Sequence, residues 1–363
     1  MTKYVRLPIT DRSFDRFVCN VSDSLEFALS LIRNNNAGFC IVRENGRMVG
    51  ILCESEVRKA WIQGAELAQS CGEFVNRHPL KMGIGCDVSV ILEKVPFIVI
   101  PEINESTGEL TAVWQTVRPR WKSDEIVVLV MAGGRGSRMG ELTNKLPKPL
   151  LEIADGFSLL DNVLKSLGDV NLRNVKISVN YLRDEFFKRK KLLETKARIE
   201  INFLEEDKFL GTGGPIYNAK ERTKGMLVMN GDVYTKASLK TFLDYGYSTK
   251  ADMVIMAARQ TRQEQFGVLS LDGDSRLIDL QEKPVSQYFV SAGVYYFAPS
   301  ILDELDSLIS NSNFDMPDLI KAAKNRGFDI RVFPIFEEWM DVGNPSVLAK
   351  VRAELHRLGG SGI

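Results

Sequence analysis

A glycine-rich stretch, MAGGRGSRMGELTNKLPKPL from Met131, holds the residues best suited to chemistry. Three of its glycines follow directly on an apolar run: Gly133, Gly134 and Gly136. Backbone N–H groups in such a loop can converge on an anion because no side chains obstruct them. Arg138 adds a planar fork that suits phosphate, and Lys148 adds a mobile positive charge. We therefore expect an anion-binding loop, although a glycine turn after a strand also occurs in α/β proteins without such a role.

The spacing of the loop argues against two common nucleotide-binding motifs. A Walker A loop requires G-x4-G-K-[ST], and the chain contains no Gly-Lys-Ser or Gly-Lys-Thr. A dinucleotide fingerprint requires a third glycine where Met139 stands, and Gly140 comes one residue late. It also requires an acidic residue after the next strand, where this chain has Asn180. An oxidoreductase that uses a dinucleotide is therefore disfavoured.

With the Pro-Lys-Pro that follows, the stretch resembles the signature GGxGTRLxPLTxxxPKPL of the sugar-1-phosphate nucleotidyltransferases. The spacing agrees from Gly133 to Leu150. Three positions depart from the signature: Ser137 for Thr, Met139 for Leu and Glu141 for Pro. The resemblance implies that the loop binds a nucleoside triphosphate. The residues implied to bind the nucleotide there are Ala132, Gly133, Gly134, Gly136 and Ser137.

The resemblance also implies a reaction. A nucleoside monophosphate passes from the triphosphate to a sugar 1-phosphate, whose oxygen attacks the α-phosphorus in line, and pyrophosphate leaves. No protein nucleophile is required, and the chain has only two histidines from which one could be activated, His78 and His356. The implied catalytic residues are Arg138, which neutralises charge on the leaving pyrophosphate, and Lys148, which contacts the α-phosphate region.

Two aspartates resemble the metal ligands of the same family. Asp232 ends the sequence MNGD after an apolar run, at the kind of strand end where α/β sheets bind ligands. Asp341 lies in WMDVGN, which is similar to the family's WxDxGTP, with Asn344 in place of Thr. Two carboxylates and the triphosphate oxygens form a ligand set that suits Mg²⁺. The resemblance therefore implies a Mg²⁺ cofactor held by Asp232 and Asp341.

Other motifs resemble the family's sugar and base pockets. The sequence QEKP is similar to the family's EKP, in which the Glu accepts hydrogen bonds from sugar hydroxyls and the Lys holds the sugar's phosphate. Without the resemblance, this Glu-Lys pair is an ordinary solvated pair. The implied sugar-phosphate residues are Gly267, Glu282, Lys283 and Gly293. The sequence LGTGG and the Glu before it resemble the loop that borders the nucleobase. The implied residues there are Glu206, Gly211 and Thr212.

The pattern after Pro119 predicts the fold of the second half. The run EIVVLVMA from Glu125 is typical of a strand buried on both faces of a parallel sheet. Strands then alternate with helices, for example helices at 159–167 and 214–222 and a strand at 175–179. Later strands, the one at 267–271 among them, predict an extension of the sheet. We expect α/β architecture over 125–357, a Rossmann-like doubly wound mixed sheet of the nucleotidyltransferase fold, with a linker at 118–124.

The first half has shorter elements and a possible repeat. Residues 24–33 have helical periodicity, and ENG at Glu44 joins two strands in a predicted hairpin. A weaker copy spans 87–114. The sequence GRMVGIL and the helix after it resemble a CBS motif, so we expect a small α+β CBS pair over 1–120, with a degenerate second repeat. The resemblance implies an adenosine-nucleotide effector bound by Glu56 and Arg58, or a structural pair that supports a homodimer.

Bulk composition limits the partners. Lys plus Arg and Asp plus Glu are both 47, so no global charge attracts nucleic acid or a membrane surface. The five cysteines form no CxxC pair and indicate small apolar residues in a reducing compartment. The N-terminus has no apolar leader. We expect a cytoplasmic protein whose partners are a nucleoside triphosphate and a sugar 1-phosphate, with no nucleic acid or membrane.

The base and the sugar are not fixed by any motif. A CBS pair joined to this transferase resembles the glucosamine-1-phosphate guanylyltransferases of bacterial legionaminic-acid synthesis, which supply surface glycans. GTP and glucosamine 1-phosphate are therefore the first expectation. Mannose-1-phosphate guanylyltransferase, or another enzyme of the family, is the alternative. A CBS nucleotide sensor with an inactive transferase fold is the alternative from another class, and it predicts erosion of phosphate and metal residues.

Overall fold

The computed structural model describes seven stretches of the chain: 3–9, 12–35, 37–87, 99–117, 121–221, 223–309 and 312–357. The chain divides into two compact units, Met1–Pro119 and Arg120–Ile363. Within the described stretches, no helix combines the length and apolar character needed to cross a membrane.

The first unit contains two small sheets with the same order of pairing. Its elements are β1 (Lys3–Pro8), β2 (Val18–Asn20), α1 (Leu25–Asn34), β3 (Phe39–Glu44), β4 (Arg47–Cys53), α2 (Glu54–Ile62), β5 (Met82–Gly83), β6 (Val99–Ile103) and β7 (Leu110–Val117). In one sheet β2 pairs parallel with β3, which pairs antiparallel with β4. In the other, β5 pairs parallel with β6, which pairs antiparallel with β7, and β1 adds to β7. This shared order is what an internal repeat requires, although 88–98 of the predicted second copy lies outside the described residues. The CBS pair stays a prediction.

Local sequence explains the best-formed elements of this unit. Ser24 caps α1, because its hydroxyl oxygen accepts a hydrogen bond from the Phe27 N–H at 3.1 Å. Asn45 and Gly46 both have positive φ, at 51° and 78°, as a two-residue hairpin turn of type I′ requires. The predicted hairpin is therefore confirmed, with Glu44 opposite Arg47.

All five cysteines are free thiols. Cys19, Cys40 and Cys71 are buried, and the Cys19 sulfur lies 3.5 Å from that of Cys40. The contact with the Cys19 thiol is the larger cause that raises the pKa of the Cys71 thiol, and burial raises it further. Cys86, by contrast, is exposed.

The second unit is built around a seven-stranded mixed sheet. Its strands are β8 (Ile126–Met131), β9 (Glu152–Ala154), β10 (Phe157–Ser158), β11 (Asn174–Val179), β12 (Glu200–Glu205), β13 (Gly225–Asn230), β14 (Val233–Thr235), β15 (Met253–Gln263), β16 (Val268–Leu271), β17 (Leu277–Gln281), β18 (Val285–Phe297), β19 (Ile330–Ile335) and β20 (Trp339–Asp341). Its helices are α3 (Leu159–Asp169), α4 (Arg183–Ala197), α5 (Pro215–Ala219), α6 (Leu239–Thr249), α7 (Pro299–Asp303), α8 (Leu305–Leu308), α9 (Met316–Asn325) and α10 (Pro345–Arg357). The order in the main sheet is β12-β11-β8-β13-β18-β15-β19, with only β18 antiparallel to its neighbours.

Strand β8 separates two apolar cores. Val128 and Val130 belong to one core, with side chains of α3, α4 and α6. Val127 and Leu129 belong to the other, with side chains of α5 and α7 to α9. Alternate residues of a strand point to opposite faces, so helices cover both faces of this sheet. The predicted doubly wound mixed α/β sheet is confirmed.

Some predicted elements need correction. The helix predicted at 214–222 covers only Pro215–Ala219, because Lys220 already has an extended conformation. The strand predicted at 267–271 does not join the main sheet. It pairs as β16 with β17, a strand that the sequence pattern had not predicted, in a separate two-stranded ribbon.

Glu102 is a buried charged group of the first unit. It is 3% exposed and accepts hydrogen bonds from Arg6, from the Trp114 indole N–H at 2.8 Å and from the Thr111 hydroxyl at 2.8 Å. The hydrogen bond from Arg6 is the largest cause that lowers the pKa of Glu102 to about 2. A lowered pKa stabilises the fold above the pKa of the unfolded chain, about 4.3, and this stabilisation is lost as the pH falls towards 2.

We expect Glu102→Gln to lower the free energy of unfolding at neutral pH by about 1–3 kcal/mol, the scale of a lost charged hydrogen bond. The deficit should shrink as the pH falls through about 4 towards 2, where the wild-type carboxylate also becomes protonated. Urea unfolding at several pH values measures both effects, and the exposed Glu109→Gln is the control. A deficit that is constant with pH would contradict the assigned role of the charge.

Candidate functional site

The glycine loop lies at the carboxyl end of β8, in the middle of the parallel part of the sheet. Strands β11 and β13 flank β8, and their own ends supply Asn180 and Asp232 on either side. Together these ends form a cleft of about 270 Å³. The predicted site residues that line it are Ala132, Gly133, Gly134, Gly136, Ser137, Arg138, Lys148, Glu206, Gly211, Thr212 and Asp232. Residues from distant parts of the chain therefore meet at the strand ends, as expected for an α/β sheet.

Gly136 has a conformation and a packing that favour glycine. Its φ is 63°, and a Cβ there would lie 3.0 Å from the Lys148 Cβ and 3.1 Å from the Thr143 Cγ2. The Thr143 hydroxyl donates a hydrogen bond to the Gly136 carbonyl at 3.2 Å. Met139, at the position where a dinucleotide loop has its third glycine, is 1% exposed and packs with Val342 and α10. The loop is therefore anchored by its neighbours rather than by its own hydrogen bonds alone.

Lys148 and Asp232 form a partly buried ion pair at the floor of the cleft. The Lys148 Nζ lies 2.5 Å from the Asp232 Oδ2, and the lysine side chain is 8% exposed. Lys148 follows Pro147 in a short 3-10 helix, and Asp232 follows β13, so the pair joins the glycine-loop segment to the end of a neighbouring strand. The pair places one positive charge beside the glycine loop.

Asp341 is brought next to Asp232 by strand pairing. In the two-stranded sheet of β14 and β20, Asp341 lies opposite Val233, the residue after Asp232. A Cβ on Gly343 would lie 3.4 Å from the Asp341 Oδ2 and 3.5 Å from the Arg138 Cζ, so these charged groups approach the same glycine. Arg138 is exposed and has no ion pair with another described residue.

The carboxylates of Asp232 and Asp341 are oxygen donors of the kind that magnesium prefers, and a metal held by them stays a prediction. Within the described residues, no three His, Cys, Asp or Glu side chains cluster as a complete protein cage. Mg²⁺ in nucleotide sites is usually held by one or two carboxylates and substrate phosphates, with water in the remaining positions. Asp341 ends β20 and Asp232 directly precedes β14, the strand paired with it, so the two residues could offer this oxygen-only donor set.

Glu206 occupies the other end of the cleft, below Gly133. It is 7% exposed, and a Cβ on Gly133 would lie 2.9 Å from its Oε1. The Ser178 hydroxyl and the Leu210 N–H donate hydrogen bonds to the carboxylate, the latter at 3.3 Å. Asn180 donates to the Glu206 carbonyl at 2.7 Å. A nearly buried carboxylate is therefore held at a fixed place in the cleft wall.

The loop at Gly211 is fixed from below by Asp315. The Thr212 N–H and hydroxyl both donate to the Asp315 Oδ1, at 2.8 and 3.0 Å. Gly211 has φ 77°, and a Cβ there would lie 2.4 Å from the Phe314 carbonyl oxygen, so only glycine is accommodated.

The predicted sugar-phosphate residues are only partly brought to the cleft. Gly293 contacts Asn230, a cleft residue, because a Cβ there would lie 2.7 Å from the Asn230 Nδ2. Gly267 and Glu282 approach each other, since a Cβ on Gly267 would lie 3.0 Å from the Glu282 Oε2. Glu282 and Lys283 are exposed and do not line the cleft. Their assignment stays a prediction.

The cleft also contains residues that the sequence pattern did not identify. They are Met131, Pro149, Phe209, Pro215, Asn230 and Gly343. Ser178 and Asn180, which hold Glu206, were also missed. Asn180 follows a predicted parallel strand, and this position could have indicated its place near the site. The place of Phe209 in the cleft wall depends on loop packing, which the sequence pattern does not show.

The predicted CBS ligands are engaged within their own helix. The Glu56 carboxylate accepts a hydrogen bond from the Cys53 N–H at 3.0 Å, as in a capping box at the start of α2. Arg58 is 5% exposed and ion-paired with Glu54. These contacts give both residues a structural role in α2, and a nucleotide site there stays a prediction.

Comparison with known proteins identifies the family. The model of the nucleotidyl transferase family matches residues 127–357, and the chain belongs to this family. Mannose-1-phosphate guanylyltransferase 1 of Arabidopsis thaliana is 29% identical over 225 residues, which are 60% of this chain and 61% of that protein. Bifunctional protein GlmU of Methanocaldococcus jannaschii is 30% identical over 228 residues, 60% of this chain and 51% of that protein. The chain thus spans between about half and three fifths of the length of these relatives.

A solved structure supports the fold alone. The Bacillus anthracis protein provisionally assigned as a glucose-1-phosphate thymidylyltransferase is 17% identical, with a TM-score of 0.50. The match covers 63% of this chain and 94% of that one. It agrees with the mixed α/β nucleotidyltransferase fold of the second unit.

We expect Gly136→Ala to destabilise the fold by about 1–2 kcal/mol, because alanine is strained at positive φ and its Cβ would press on Lys148. The same change should weaken nucleotide binding by displacing the loop. Gly134→Ala is the control for stability, since a Cβ there meets no atom within 4 Å. Chemical unfolding of both variants tests the expectation, which equal stability of the two would contradict.

Proposed function

We propose that the second unit transfers a guanylyl group from GTP to a sugar 1-phosphate and releases pyrophosphate. The observation that carries this proposal is the meeting of the glycine loop, Arg138 and the Lys148–Asp232 pair in one cleft, with Asp341 alongside. A sensor with an inactive transferase fold requires no such set of opposed charges. The retained residues therefore support an enzyme.

In the proposed reaction, the loop N–H groups and Arg138 bind the β- and γ-phosphates, and Arg138 stabilises the charge that develops on pyrophosphate. Lys148 lies at the floor of the cleft and contacts the α-phosphate. Asp232 and Asp341 would hold Mg²⁺, which would supply further positive charge to the triphosphate. Lys283 would hold the attacking sugar phosphate. Catalysis then depends on positioning and charge, without a protein nucleophile.

Glu206 supports guanine as the base. The Watson–Crick edge of guanine has two adjacent donors, N1–H and N2–H, which a carboxylate can accept together. Uracil offers one donor at the corresponding edge, flanked by two carbonyl oxygens that a carboxylate repels. The names of similar proteins, among them the Arabidopsis thaliana guanylyltransferase, agree with this choice.

Two acceptors are proposed in order. Glucosamine 1-phosphate is the first, from the resemblance of the two-part chain to the guanylyltransferases of legionaminic-acid synthesis, and it would supply a surface glycan. Mannose 1-phosphate is the second, favoured by the names of the relatives.

Pyrophosphate release with the four NTPs and a panel of sugar 1-phosphates, with and without Mg²⁺, separates the two proposed acceptors. Absence of release in every combination would favour the sensor, and added AMP or ATP tests the proposed CBS effector.

We expect Arg138→Ala to lower turnover by a factor on the order of 10² or more, the effect of losing one preorganised charge donor. The nearby Arg135→Ala is the control, because Arg135 is an exposed loop arginine that does not line the cleft. Steady-state pyrophosphate release measures both variants. Near-normal turnover of Arg138→Ala would refute the assigned role.

We expect Glu206→Gln to reduce the preference for GTP over UTP, measured as the ratio of kcat/KM values, by roughly tenfold or more. Glutamine keeps the shape of the side chain but replaces one acceptor oxygen with a donor, so it can no longer accept both guanine donors. Glu206 also accepts a hydrogen bond from the Ser178 hydroxyl, so the variant could lose stability. Its free energy of unfolding is therefore measured as the control. An unchanged ratio would show that the base is selected elsewhere.

A further inference from the structure

The ribbon formed by β16 and β17 has an apolar face without a partner. Leu269 lies opposite Leu280, and Leu271 lies opposite Leu277. Each of these four leucines is between 55% and 59% exposed. The two strands pair only with each other, in a separate two-stranded sheet.

The opposite face of the ribbon is largely polar. Val268 lies opposite Gln281, and Ser270 lies opposite Asp279. Side chains alternate along a strand, so the leucines and the polar pairs point to opposite sides. The one irregularity is the extra residue Ile278, between the Asp279 and Leu277 pairs, which is 66% exposed. This alternation is typical of a ribbon with one side packed on a partner.

The apolar surface is concentrated on this short segment. Nine of the nineteen exposed large apolar side chains in the described part of the chain lie between Phe266 and Tyr288. The leucine face itself consists of the four leucines and Ile278 and exposes on the order of 500 Å², so two such faces would bury roughly 1,000 Å² in total, about the minimum for a specific interface. A contiguous apolar patch of this size is at the upper end of what monomeric proteins expose and is often functional, and a two-stranded ribbon is only marginally stable by itself.

We propose that the leucine face of this ribbon packs against the same face of a second copy of this chain, related by a two-fold axis. An interface of this kind requires a self-complementary surface, and an uncharged leucine face provides one. The charged residues of the ribbon, among them Asp272, Asp274 and Asp279, lie in the turn or on the polar face and remain in water.

The proposed contact also bears on the acceptor site, an implication that rests on the proposed function. Gly267 immediately precedes β16, and Glu282 immediately follows β17. A dimer contact would therefore fix the base of the ribbon, where the predicted sugar-phosphate residues lie.

The test compares two matched variants by analytical ultracentrifugation of the full chain. L269K/L280E places a cross-strand ion pair on the leucine face, and V268K/Q281E places the same pair on the polar face. We expect the wild type and V268K/Q281E to sediment as dimers of the 40.8 kDa chain. The dimer Kd of L269K/L280E should rise by a factor on the order of 10² or more, because central apolar contacts dominate interface energies.

Three results would overturn the proposal. They are a wild type that is monomeric at micromolar concentration, a dimer that L269K/L280E retains, and equal dissociation of both variants. If L269K/L280E fails to fold by circular dichroism, L271K/L277E tests the same face. The measured mass requires no turnover, so failure of the dimer and failure of the proposed reaction are separate results.

Discussion

The burial of β8 on both faces is the constraint on which the second unit depends. Its alternate residues anchor the two apolar cores, so its path through the molecule is fixed by packing on each side. Its neighbours β11 and β13 run parallel to it. Their carboxyl ends therefore open at one edge of the sheet, and the glycine loop has to lie there. The cleft follows from strand direction before any polar side chain is considered.

Under the proposed function, the Lys148–Asp232 pair serves ligand binding more than it serves stability. The lysine side chain is 8% exposed, and taking an ion pair out of water offsets much of its Coulomb attraction. The same partial burial strengthens the interaction of each charge with a phosphate or a metal that enters the cleft. Arg138, by contrast, is exposed and has no ion pair with another described residue. The cleft thus combines the Lys148 charge, which Asp232 holds in position, with the Arg138 charge, which is free to move onto a bound ligand.

Sequence patterns predicted the elements whose signal is local. The apolar run of β8, the helix that begins after Ser158 and the hairpin at Asn45 were all predicted, since each depends on near neighbours in the chain. The residues predicted in the glycine loop line one cleft, and their role in binding stays a prediction. Pairing between distant segments was not predicted. The strand pairing that sets Asp341 beside Asp232 and the role of Ser178 beneath Glu206 depend on tertiary packing, which spacing does not encode.

The two proposed substrate sites differ in how firmly the fold holds them. The proposed nucleotide residues follow buried strands or are fixed by buried neighbours, as Met139 and Phe314 illustrate. Glu282 and Lys283 instead leave an exposed ribbon whose leucines belong to no apolar core among the residues that the structure describes. Leucines at alternate positions of β16 and β17 stabilise nothing while they face water, and each exposed leucine raises the risk of aggregation. A partner for that face gives the alternation a physical reason. The position of the predicted acceptor residues then depends on the surface that covers the ribbon.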